Sequence, residues 1–232
     1  MTSAPPETHR SSRSRARPAS GAPQKGRYLV PVRRCDGIVT LAAHLTVDGS
    51  GVPRRPRDIT AGLFHIYTHC VWVTRDLYRK DEDRMEFLRG LARVTGKLGW
   101  TCLAYCLMTS HYHLIVDVDD GMLPKAMHSL NLPYARNFNR RYGLRGHLQF
   151  APYGARRISD DADLAYRFKY VANNPVEAGL CEKPGDWPWS SYAGTVGLAP
   201  LATFVDPARL LRYFDWPDNN PEAALRRYVE SP

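Results

Sequence analysis

The sequence predicts an α+β sandwich, a small antiparallel sheet with helices on one face. Short β-branched and aromatic runs alternate with stretches whose apolar residues recur every three or four positions. Two of the runs are separated by only Thr109 and Ser110, which calls for a hairpin of adjacent antiparallel strands. The resulting order, β-α-β-β-α-α, is built to bury one sheet face under helices.

Residues 1–26 (MTSAPPETHRSSRSRARPASGAPQKG) are Ser, Arg, Pro and Ala with hardly an apolar anchor, and read as a disordered basic tail. Residues 27–60 hold two short apolar runs, Tyr28–Val32 and Val39–Val47, and the basic stretch Val52–Asp58. They read as a hairpin or a poorly ordered lead-in, then a linker. The main domain is expected over 61–199. Leu63–Val73 is a strand by composition, and Asp81–Leu98 is an amphipathic helix closed by Gly99. Trp100–Met108 and His111–Val118 form the hairpin. A second helix runs from about Pro124 to Arg141, and residues 143–158 read as a loop or short ribbon. A third helix, capped near Ser159–Asp161, runs to about Asn174 and is stopped by Pro175. Residues 200–232 read as a C-terminal appendage with Leu210, Leu211, Tyr213 and Phe214 docked. No internal repeat is visible.

Hydrophobic residues make up 44% of the 232 and charged residues 24%, enough to bury a core. No apolar stretch approaches the roughly 20 residues that span a bilayer, and the Arg-rich start lacks the apolar core of a secretory signal. Five cysteines without framework spacing suit a reducing cytoplasm. Cys102 and Cys106, four apart in one strand, are expected on the same side as buried core. The net charge of +9 points to a polyanionic partner. Residues 1–60 contribute +7 of it. In the remainder, residues 121–159 carry Lys125, Arg136, Arg140, Arg141, Arg145, Arg156 and Arg157 and no acid, a window expected to contact nucleic acid phosphates.

Chemistry concentrates in two places. In SHYHLIVDV the period of two puts Tyr112, Leu114, Val116 and Val118 on a core face, and His111, His113, Ile115 and Asp117 on the other. Two imidazoles at i and i+2 are placed either to share a divalent cation or to sit as half-exposed polar residues on an open sheet face. His65 and His69 share a face of the first strand and reach the same place if that strand is a neighbour; otherwise they are structural or DNA-facing. In DADLAYRFKYVANNP, Tyr166, Tyr170 and Asn174 follow one another at four-residue steps. The tyrosines either pack with hydroxyls at the rim or provide a nucleophile. A hydroxyl one turn before an Asn carbonyl is placed to attack a phosphodiester held by a metal on that Asn and the two histidines. Trp187, Trp189 and Tyr192 of WPWSSY either stack on an unpaired base or pack against the domain.

The segment CLMTSHYHLIV resembles the His-x-His strand of the single-tyrosine HUH transposases, specifically the REP-associated tyrosine transposase branch. The resemblance continues through YARNFNRRYGLRGHL, YVANNPVEAGL and WPWSSYAG, over about residues 53–200. It departs where the chain reads THCVW after the first strand and GHLQFAPYGARR in the basic window. The resemblance implies an RRM/ferredoxin-like sandwich with the tyrosine helix laid across the sheet. It implies Tyr170 as the catalytic residue and His111, His113 and Asn174 as ligands of Mg²⁺ or Mn²⁺. Arg136, Arg140, Arg141, Arg145, Arg156 and Arg157 are the DNA-binding candidates. The implied activity is metal-dependent cleavage and joining of single-stranded DNA near hairpins, through a 5′-phosphotyrosine link and a free 3′-OH, by a cytoplasmic monomer or homodimer with no membrane partner. The alternatives are a hairpin-DNA-binding protein that no longer cuts, against which all four site residues argue, and a metal-dependent nuclease that uses water. RNA binding through the sheet is set aside for want of an aromatic-rich strand of the RRM type.

Overall fold

Side chains alternating between two covered faces build the sheet. The computed structural model describes residues 1, 61–69, 76–119, 121–144, 153–214 and 219–231. The expectations for residues 2–60, including the tail and the lead-in, lie outside the described residues. From residue 61 the chain runs β1 (Gly62–His69), α1 (Asp81–Lys97), β2 (Trp100–Leu107), β3 (His111–Val118), α2 (Met122–Arg141), β4 (Gly154–Arg157) and α3 (Asp161–Glu177). Three shorter helices follow, α4 (Tyr192–Thr195), α5 (Pro207–Leu211) and α6 (Pro221–Glu230). The strands order as β2-β3-β1-β4, all neighbours antiparallel. With α1 and α2 as crossovers this is the ferredoxin-like split βαβ arrangement. The stretch read as a loop or ribbon contributes its fourth strand.

The sheet separates two cores. On one face Phe64, Ile66, Tyr112, Leu114 and Val116 meet Phe87 and Leu91 of α1 and Leu130, Tyr134 and Phe138 of α2. Phe87 is wholly enclosed, its ring 4.7 Å from Tyr112 and 5.5 Å from Tyr134. Side chains of this size each contribute about 1.5–3 kcal/mol by leaving water. On the other face Leu103, Cys106, Met108 and Ile115 pack on Leu164, Phe168 and Val171 of α3, joined by Tyr192, Leu210, Leu225 and Val229. The tyrosine helix therefore lies across the face opposite α1 and α2.

Two expectations are corrected. Cys102 and Cys106 belong to different cores, because an irregularity between Cys102 and Ala104 shifts the register of β2 and inverts the alternation. Both remain buried thiols, and burial pushes Cys102 up to about 12. The third helix does not stop at Pro175 but continues to Glu177. It ends at Gly179, whose φ of 68° allows the Gly179 and Leu180 amides to donate to the Val176 and Pro175 carbonyls. Proline in the last turn forfeits one helical bond, and the Schellman closure beyond it holds the end. Trp187 and Trp189 are half-buried and Tyr192 fully so, with the Trp187 indole donating to the Leu107 carbonyl at 3.1 Å; this segment packs against the domain. No helix among the described residues is long and apolar enough to cross a membrane.

Candidate active site

The face of β3 turned towards α3 carries both histidines. Their rings lie 5.1 Å apart and nearly perpendicular, and both are buried. Asn174, one turn before the end of α3, is completely buried and brings its Oδ1 to 3.1 Å from His111 Nε2. Its Nδ2 is buried with no hydrogen-bond partner among the described residues. Tyr170, one turn earlier, lays its half-buried ring edge-on against His113, with centroids 5.5 Å apart. Tyr166 is 61% exposed, with the Arg167 guanidinium over its ring. The structure thus brings together His111, His113, Asn174 and Tyr170, and leaves Tyr166 outside that group.

Two imidazoles and an amide oxygen are a coherent donor set for a divalent cation. The 3.1 Å between His111 Nε2 and Asn174 Oδ1 is close to the spacing of adjacent ligands around an octahedral ion with bonds of about 2.1 Å. Among the described residues no group of three His, Cys, Asp or Glu side chains is arranged to hold a metal ion by itself. As ligands all three would be uncharged.

Sequence reasoning brings His65 to this place only if its strand is a neighbour, and the fold meets that condition. Because β1 neighbours β3, with Tyr67 opposite His113, His65 Nε2 lies 2.9 Å from His113 Nδ1. Its ring also meets Tyr170 edge-on at 6.1 Å. Burial, then the charges of Arg167 and Arg156, push its pKa down to about 4, so it is neutral at physiological pH. Only the strand order could have found it. His69 pairs with His111 across the same ladder.

Comparison with known proteins follows the same residues. Residues 63–174 match the family model described as "Transposase IS200 like", a span that starts in β1 and ends on Asn174. Over these residues the chain is similar to the IS200-like transposases. Over 148 residues it is 28% identical to a Haemophilus influenzae protein named as a REP-associated tyrosine transposase, covering 59% of this chain and 83% of that one. It is similar to the solved structure of a REP-associated tyrosine transposase bound to a REP hairpin, with a TM-score of 0.52 and 18% identity over 67% of this chain and 94% of the other.

The basic window of the chain does not fold into one patch among the described residues. Arg156 pairs with His65 in the β1–β4 ladder and is exposed on the histidine face. Arg157 points to the other face, where it donates to the Ala61 carbonyl and lies over Phe64. Arg136 and Arg140 are exposed on α2, the layer behind the sheet. Arg141 is held by Asp83 and Glu86 of α1. Arg145 lies outside the described residues.

Proposed function

We propose that the protein is a tyrosine transposase that cuts single-stranded DNA beside a hairpin, with Tyr170 as nucleophile and a Mg²⁺ or Mn²⁺ ion held by His111, His113 and Asn174. The observation that carries this reading is the shared helix face. Asn174 touches His111 while Tyr170, one turn away, touches His113. When bound, the ion would act as a Lewis acid on a non-bridging phosphate oxygen, offsetting charge that develops in the transition state.

The chain's own residues do the rest. A phenol with a pKa near 10 is a weak nucleophile at neutral pH, so its placement counts for much. The Tyr170 oxygen forms a bond to phosphorus and gives its proton to solvent. The bond from phosphorus to the 3′-oxygen breaks, and that oxygen takes up a proton as the free 3′-OH. The product is a 5′-phosphotyrosine, and reversal by another 3′-OH rejoins strands without ATP. Arg156, on the same sheet face, is placed to meet a neighbouring phosphate. The similar REP-associated tyrosine transposase is bound to a REP hairpin in its solved structure, which supports hairpin DNA as the partner here.

The test is incubation with single-stranded hairpin DNA from beside its own gene, with Mg²⁺ or Mn²⁺. A denaturation-resistant protein–DNA adduct that requires the ion is expected. Cleavage that persists in EDTA would remove the metal from the reading.

A further inference from the structure

We propose that His65 is a positioning residue for the metal site, its Nε2 accepting the Nδ1–H of His113 and thereby fixing the tautomer in which His113 presents Nε2 to the cation. The inference rests on the metal reading above. His113 uses one ring nitrogen on His65, at 2.9 Å, with the two rings stacked at 5.1 Å and 28° between planes. Its other nitrogen, Nε2, is buried. A nitrogen that ligates must offer a lone pair, so the single proton of a neutral imidazole has to sit on Nδ1 and needs an acceptor there. His65 Nε2 is that acceptor. The opposite polarity, with His65 donating, would place the His113 proton on Nε2 and block coordination. The other histidine is set less strictly: Ser110 Oγ lies 3.2 Å from His111 Nδ1, and a hydroxyl turns to suit either tautomer.

The surroundings of His65 speak against a purely structural role. It stands between Phe64 and Ile66 in β1 and is 2% exposed. When Nε2 accepts, the proton of His65 lies on Nδ1, an atom buried with no hydrogen-bond partner among the described residues. An apolar side chain would avoid that unsatisfied donor. Its edge contact with Tyr170 further links the proposed metal ligand to the proposed nucleophile.

The experiment compares the full chain with H65Q and H65L. Glutamine places a carbonyl oxygen close to where Nε2 lies and so still accepts, whereas leucine cannot. Mn²⁺ alone is titrated, read by paramagnetic broadening of the His111 and His113 ring signals, and ¹⁵N long-range correlations give the His113 tautomer without metal. Wild type should show His113 protonated on Nδ1. H65L should bind Mn²⁺ about 10- to 100-fold more weakly, with H65Q restoring most of the affinity and the tautomer. Equal Mn²⁺ affinity in wild type and H65L, or a His113 proton on Nε2 in wild type, overturns the positioning role alone. A wild-type chain that never engages Mn²⁺ at these rings overturns the metal reading and this inference with it. Should H65L fail to fold, H65Q decides, since weak Mn²⁺ binding in that acceptor-bearing variant also overturns the proposal.

Discussion

Two phenols share one helix face, and their surroundings separate them. Tyr166 is 61% exposed beneath Arg167, while Tyr170 is half-buried against His113 and one turn from Asn174. At 1.5 Å of rise per residue, Tyr166 is about 12 Å along the axis from Asn174, and Tyr170 about 6 Å. In-line attack needs the hydroxyl within about 3–3.5 Å of phosphorus. Tyr170→Phe removes one oxygen and keeps the edge-on ring contacts, so the covalent adduct should vanish while thermal stability and hairpin binding are retained. Tyr166→Phe should keep the adduct. Denaturing gels and peptide mapping check both, and DNA mapped to Tyr166 would reverse the assignment. Retained hydrolysis without adduct in Tyr170→Phe would instead favour water as nucleophile.

Between elements, the junction of α1 and α2 is where charge does structural work. Asp83 is fully buried. It accepts from the backbone amides of Arg79 and Lys80 at the start of α1, from the Tyr142 hydroxyl at 2.7 Å and from Arg141. Burial alone would raise its pKa, but the bonds from Tyr142, the two amides and Arg141 outweigh it and hold the carboxyl below the usual range. A depressed carboxylate contributes stability above its unfolded pKa of about 3.9 and loses it as pH falls through the folded value. Asp83→Ala should cost about 2–4 kcal/mol at pH 7, by analogy with broken buried pairs, and the gap to wild type should narrow below about pH 4. Urea melts at pH 7 and pH 3 check this. Periodicity made most strand and helix bounds legible in the sequence, because helices and strands each sort their side chains by face. It could not show the β2 irregularity, which inverts alternation at a single residue. Nor could it show that the acids answering Arg141 come from α1, 58 and 55 residues away in the chain.

At the scale of the whole molecule, the sheet divides a structural face, under α1 and α2, from a chemical face crossed by α3. The His-x-His spacing and the Tyr–Asn step were legible because each lies within one element. His65 was not, since its contact with His113 exists only once β1 lies beside β3. The arginines divide in the same way, and that separates them experimentally. Arg156→Ala should lower the log–log salt slope of hairpin binding by about one, as expected for one lost phosphate contact. Arg141→Ala should leave the slope alone and lower the melting temperature; a changed slope there would bring the DNA across the α1–α2 layer. Metal and DNA should also depend on each other. His111, His113 and Asn174 contribute no charge while the histidines are neutral, so a cation bound by them alone gains little Coulomb energy, and a phosphate at the same ion would supply the missing anion. Linkage then requires that DNA raise Mn²⁺ affinity by the same factor by which Mn²⁺ raises DNA affinity. With Tyr170→Phe to prevent cleavage, calorimetric titration of each ligand in the presence and absence of the other measures both factors. Coupling of about tenfold, or about 1.4 kcal/mol, is the expected outcome. Independent binding of the two would mean that the phosphate never reaches the ion, and the proposed site would lose its role in the reaction.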